Sequence, residues 1–167
     1  MRKSWAIPLA LLVAGTVSTV AVGAGDDMLK PASLRQQTIG EAALAKGQPL
    51  VAVDAFEAAV AADPRNGRAY IGMAHAYEAQ GLPGKAVKFY REALNLDPND
   101  LNALEGQGKA LVMRGATARA NLNLARIKTL CKADCPAAKR LEVALAAPRP
   151  APVATADAAA PPATAKN

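Results

Sequence analysis

Between residues 33 and 134 the apolar positions fall at helical spacing in paired runs, and each pair is broken by a stretch containing glycine. The clearest pair is Tyr70, Met73, Ala74 and Tyr77, then Gly81-Leu82-Pro83-Gly84, then Ala86, Val87, Tyr90 and Leu94. Residues three and four apart share a helix face, so each run predicts a one-sided helix and each pair a helical hairpin. Gly81 can take the positive φ that ends a first helix, and Pro98 cannot continue a second one.

The pair is written three times, 34 residues apart. Rows covering 33–66, 67–100 and 101–134 bring Gly47, Gly81 and Gly115 into line, then Ala52, Ala86 and Ala120, then Phe56, Tyr90 and Leu124. First-helix positions align as well: Gln36, Tyr70 and Leu104; Ile39, Met73 and Gln107; Ala43, Tyr77 and Leu111. Asp63-Pro64 and Asp97-Pro98 close the first two rows, and Lys132 stands where the third would have proline. A single hairpin leaves one face wet, so the copies must cover one another. Ala138, Leu141 and Leu145 continue the phase, which predicts a closing helix in 135–147 with Pro136 near its first turn and Lys139, Arg140 and Glu142 outward.

The series Tyr70, Met73, Ala74, Tyr77, Ala86, Tyr90, Ala93 and Pro98 resembles the tetratricopeptide repeat, with alanine at 74 where that family carries glycine. Gly40, Ala52, Phe56, Ala59 and Pro64 keep the pattern in the first row, and Gly108, Leu111, Gly115 and Ala120 in the third. The resemblance implies an all-α solenoid of three hairpins plus a capping helix, with first helices lining a concave groove. Here those positions are Leu34, Gln37, Glu41, Arg68, Ile71, His75, Glu78, Asn102, Glu105, Lys109 and Val112. One way the family holds a partner's terminal carboxylate is a clamp of lysine and asparagine side chains. Its positions correspond to Gln37, Glu41, Gly72, Asn102 and Gly106, which do not form such a clamp. Gly72 and Gly106 leave room for a partner's backbone or serve helix packing.

The ends read differently. Residues 1–24 have a basic start, an apolar stretch and the small residues Val22-Gly23-Ala24, the makeup of a secretory signal peptide, with an uncleaved membrane anchor as the alternative. A lead-in follows over 25–32. Residues 148–167 are alanine- and proline-rich with few large apolar residues, a composition expected to remain a disordered spacer. Without residues 1–24 the formal charge falls from +6 to +4, because that segment carries two basic residues and no acidic one. From Gly106 to Leu141 eight basic residues face Asp134 alone. Arg119, Arg126, Lys128, Lys132, Lys139 and Arg140 therefore form either a solvated face or a surface for an acidic partner or anionic headgroups. Nucleic acid does not fit an exported chain.

Cys131 and Cys135, four apart in the last turn, suggest a disulfide clip in an oxidising compartment, with thiol redox work and free thiols as alternatives. Neither a C-x-x-C-H haem motif nor a phosphate loop, nucleophile elbow or zinc motif is present, and His75 has no second histidine to join it. No catalytic residue, metal or cofactor is expected. The sequence thus predicts a periplasmic adaptor that holds a peptide or helix of another envelope protein. The alternatives are a subunit of a secretion or pilus assembly docking by the basic C-terminal face, and a thiol oxidoreductase. Membrane contact would be secondary, and the sequence leaves the oligomeric state open.

Overall fold

A computed structural model describes residues 28–131 and 134–147. The expected signal segment, the Ala/Pro-rich tail and Lys132 lie outside the described residues. Seven α-helices follow in order within them: α1 (Pro31–Ala45), α2 (Pro49–Ala62), α3 (Gly67–Ala79), α4 (Pro83–Leu96), α5 (Leu101–Met113), α6 (Thr117–Leu130) and α7 (Pro136–Ala146). They form the expected solenoid of three hairpins and a closing helix. None of these helices is long and apolar enough to cross a membrane.

Helix starts and stops are set by local chemistry. Four helices (α1, α2, α4 and α7) begin on proline, whose fixed φ suits the first turn and whose missing N–H is one that no helix could use there. Two first helices are capped by side chains: Asn66 accepts the Ala69 N–H at 3.1 Å, and Asp100 accepts those of Asn102 and Ala103 at 2.7 and 3.0 Å. Gly47, Gly81 and Gly115 end the first helices at φ near +70°. There the next residue's N–H turns back to Ala43, Tyr77 or Leu111, a closure that favours glycine because a side chain at this φ is strained.

Helix α1 starts two residues before the expected first row, because Pro31 supplies the first turn. The lead-in is pinned to the far end of the first hairpin. Asp63 is buried and accepts the Lys30 N–H at 3.0 Å, while Arg65 bonds both Asp63 and the Met28 carbonyl. These contacts, the Arg65 side chain foremost, hold the Asp63 carboxyl well below the usual carboxylate range.

Packing follows the junctions between rows. One cluster joins the first hairpin to α3 through Phe56, Ala69 and Met73. A second joins α3 and α4 to α5 through Tyr90, Ala103 and Leu111, and a third joins α5, α6 and α7 through Leu104, Ile127 and Leu141. Ala52, Ala86 and Ala120 are fully buried, and helices touch closely at these small residues.

The aligned positions are not equivalent throughout. Ile39 is 50% exposed, because α1 has no preceding hairpin to cover it. Gln107 is buried and satisfied instead by the Val87 carbonyl and Asn123. Tyr70 and Tyr77 are only partly buried, and Tyr77 stacks on Phe89 with ring centroids 5.2 Å apart.

Cys131 and Cys135 face each other across the last turn with Cα atoms 5.7 Å apart, within disulfide range, and pack against the third cluster.

Candidate functional site: the inner groove

First helices α1, α3, α5 and α7 stand side by side as an inner wall, and a concave cleft of about 820 Å³ runs along it. From α3 come Arg68, Ile71, His75 and Glu78; from α5, Asn102, Glu105 and Lys109; from α1, Glu41. The structure brings these eight expected residues together. It leaves out Leu34, at the start of α1, and Val112, which packs against the second cluster. Gln37 is also outside: it is buried and donates to Glu41 at 2.8 Å.

The cleft also contains residues not assigned to it from sequence: Leu44, Phe56, Tyr90, Asp100 and Arg140. Leu44 was within reach of the reading, because it stands 34 residues before Glu78. Phe56 and Tyr90 were assigned to the core, and both are fully buried. Their rings nevertheless reach the cleft floor, because glycine lies above them. A Cβ on Gly72 would come within 2.4 Å of Phe56, and one on Gly106 within 2.3 Å of Tyr90. Of the two roles open to these glycines, the geometry supports helix packing. It also explains why the terminal-carboxylate clamp is missing: at two of its positions a ring occupies the space a side chain would need.

Tyr90 adds a polar end to this packing. Its hydroxyl donates to Glu78 Oε2 at 3.0 Å and lies 3.1 Å from His75 Nδ1, which is itself 3.3 Å from Glu78. Burial pushes the phenol well above its ordinary pKa, and the neighbouring Glu78 charge and hydrogen bond push it further. It therefore stays a donor. His75, Tyr90 and Glu78 thus form a hydrogen-bonded group in the floor of the cleft.

Toward α7 a second constellation forms. Glu105 is buried and accepts Lys109 Nζ at 2.6 Å, Arg140 Nε at 2.7 Å and Arg140 Nη2 at 2.5 Å. Burial raises the Glu105 pKa, but the hydrogen bonds and charges of Arg140 and Lys109 outweigh it and hold the carboxyl below its ordinary value. Glu105 in turn raises the pKa of Arg140.

Arg140 is thus not part of an outward basic surface, as the sequence suggested, but turns into the cleft. Other members of that surface are matched too: Lys128 pairs with Glu142 at 2.6 Å, Lys139 pairs with Asp134, and Arg126 bonds the Asn99 side chain at 3.2 Å. Two of the matching acids, Glu105 and Glu142, lie just outside the 106–141 window, which made the charge look one-sided. Arg119 is exposed on α6.

Residues 38–101 match the tetratricopeptide repeat. The third hairpin and α7 lie beyond that match and continue the repeat by structure. The fold is the tetratricopeptide solenoid, as similar solved structures show. The Arabidopsis OM64 TPR domain is 22% identical, covers 68% of this chain and 93% of its own, and superposes with a TM-score of 0.63. The Sgt2 TPR domain from Aspergillus fumigatus is 26% identical over 69% of this chain and 78% of its own, with a TM-score of 0.64. The first TPR of Spaghetti (RPAP3), solved bound to the HSP90 peptide SRMEEVD, is 21% identical over 70% of this chain and 94% of its own, with a TM-score of 0.62. A comparison with curated proteins finds no match.

Proposed function

We propose that the protein is a non-enzymatic adaptor of the bacterial cell envelope that holds a peptide or helix of another protein in the inner groove. One observation carries this reading. Gly40, Ala74 and Gly108 on the first helices and Ala52, Ala86 and Ala120 on the second are small and buried in all three rows, whereas the cleft-lining set Arg68, Ile71, His75 and Glu78 is not repeated in kind by its neighbours. A scaffold position is constrained by its fold; a cleft position that changes from row to row is free to suit a partner. The peptide held by the first TPR of Spaghetti is a precedent for the mode of binding, and its partner is not carried over. Placement in the periplasm rests on the signal-like composition of residues 1–24 and on the Cys131/Cys135 spacing, which suits a structural disulfide in an exported chain.

The test is capture of partners from envelope extract with the parent and with Ile71→Ala combined with Arg68→Glu. An apolar anchor beside a charge is the usual makeup of a binding hot spot. Arg68 is exposed and Ile71 is only partly buried at the edge of the second cluster, so the variant should melt modestly below the parent while losing its partner. Retained capture, with loss on reversing Arg126 and Lys128, would move the working surface to the basic C-terminal end. Turnover of a model disulfide by the purified protein would instead favour the oxidoreductase.

A further inference from the structure

Building on the reading that a partner segment lies in the groove, we infer that its α5–α7 end is an anion site, where Lys109 and Arg140, held on the buried Glu105, receive a carboxylate of that segment. The closing helix carries the argument. Val143 stands 34 residues after Lys109 and Arg140 stands 34 after Gly106, so α7 occupies the place of a fourth first helix and prolongs the inner wall. Where the preceding helices carry Gly72 and Gly106, α7 carries an arginine, and this arginine reaches back across α5 to Glu105.

Glu105 balances only one of the two cations at this end, which leaves one positive charge there, although the cleft as a whole is lined by Arg68, Lys109 and Arg140 against the four carboxylates of Glu41, Glu78, Asp100 and Glu105. Lys109 has three N–H donors and Arg140 has five, and Glu105 occupies one and two of them. The side chains remain 39% and 54% exposed, while that of Glu105 is 8% exposed. The buried carboxylate fixes both cations before anything binds, which lowers the ordering cost of receiving an anion.

The other carboxylates of the cleft are spoken for or further away. Asp100 caps α5, Glu78 is held by Tyr90 and His75, and Glu41 sits on α1 with Gln37. Beside the two cations, Val143, 71% exposed, and Ala144 floor a shallow depression of about 480 Å³ that Lys109 and Arg140 also border. The matching ligand is a carboxylate next to an apolar side chain. This place differs from the family's terminal-carboxylate clamp, two of whose positions here are glycines packed against rings.

Three six-residue peptides separate the sources of the carboxylate: one of alanine, leucine and glutamate capped at both ends, its capped glutamine counterpart, and the glutamine peptide with a free carboxyl end. Binding is followed by amide NMR shifts of the isotope-labelled full chain at low salt. The expected result is saturable shifts at Lys109 and Arg140, with the glutamate peptide, the free-carboxyl peptide or both binding about tenfold tighter than the capped glutamine one. That preference should vanish in Arg140→Gln and Lys109→Gln and persist in Arg119→Gln. Lys109→Gln leaves the Arg140–Glu105 pair intact, so it tests binding even if Arg140→Gln unfolds the cap. A preference that survives Lys109→Gln, or equal binding of all three peptides with shifts at Ile71 and His75, overturns the anion site and leaves the groove reading standing. Shifts confined to residues outside the cleft, or none with any peptide, overturn both.

Discussion

Phe56 and Tyr90 hold the same place in successive rows and do not do the same work. Both rings are fully buried, and each presses against a glycine of the next first helix, Gly72 or Gly106. Phe56 stops there. Tyr90 carries one more oxygen, which lies just under the cleft surface and organises Glu78 and His75. A position that the repeat dedicates to packing can thus be extended by a single polar atom into the binding surface without disturbing the repeat. The third row shows the other choice: Leu124 is shorter and only partly buried, and the residue in the register of Gly72 and Gly106 on the next helix is Arg140 rather than glycine.

Removing the rings gives the largest expected effect. Phe56→Ala and Tyr90→Ala should each lose about 3–5 kcal/mol, the range for truncating a buried aromatic. Leu124→Ala, only partly buried, should lose about 1–2 kcal/mol on the same scale. Denaturant unfolding of the three variants orders the junctions. Equal losses would mean that the third junction is packed as tightly as the others.

Whether ring and glycine form a unit is tested next. Gly106→Ala should cost about 1–3 kcal/mol through overpacking against Tyr90, and in a Tyr90→Leu background the penalty should shrink, with a coupling of about 0.5–3 kcal/mol. Strict additivity would show that something other than the ring excludes a side chain at 106.

Tyr90→Phe erases the difference between the first two rows. The hydroxyl's contacts with both Glu78 and His75 are lost and Glu78 is left to His75, so stability should fall by about 1–2 kcal/mol. Any change in partner capture beyond that of Phe56→Tyr would assign the oxygen to the groove; a null result in both would leave it structural.

A pH-dependent effect separates the two Asp-Pro turns. Asp63 is buried under Arg65 and the Lys30 N–H, whereas Asp97 is exposed and accepts the Asn99 N–H at 2.9 Å. The folded pKa of Asp63 lies below its unfolded value, so its contribution is present above about pH 4 and is lost as pH falls from there. Asp63→Asn should flatten the acid limb of a stability–pH profile, with Asp97→Asn as the control.

Much of the fold could be read from the sequence, because it is written in quantities that repeat: the 34-residue period, the three helix-ending glycines, and the small residue followed by a large one in each second helix. The groove was legible only in part. Helical phase placed Arg68, Ile71, His75 and Glu78 on one wall, since they share a helix and its geometry is fixed. It could not place Arg140 beside Glu105, 35 residues away, because that meeting depends on how α7 docks against α5. Nor could it show that Gly72 and Gly106 lie against rings, for a glycine records missing volume without saying what fills the space. Gln37 and Val112 share the phase of the wall yet turn away from the cleft, one drawn to Glu41 and the other into the core.

The pairing of each second helix with its successor has a consequence for how such an array could grow. Copied in tandem, the first row would set Phe56 against Thr38, which holds the register of Gly72 and carries a branched side chain where the ring needs none. The third row, copied, would set Leu124 over Gly106 and leave a void in place of a ring. Only the middle row, in which Tyr90 would meet another Gly72, can be duplicated without a collision or a hole. The unit that must be inherited intact is the seam between neighbours, and lengthening by unequal exchange is compatible with this chain only through residues 67–100.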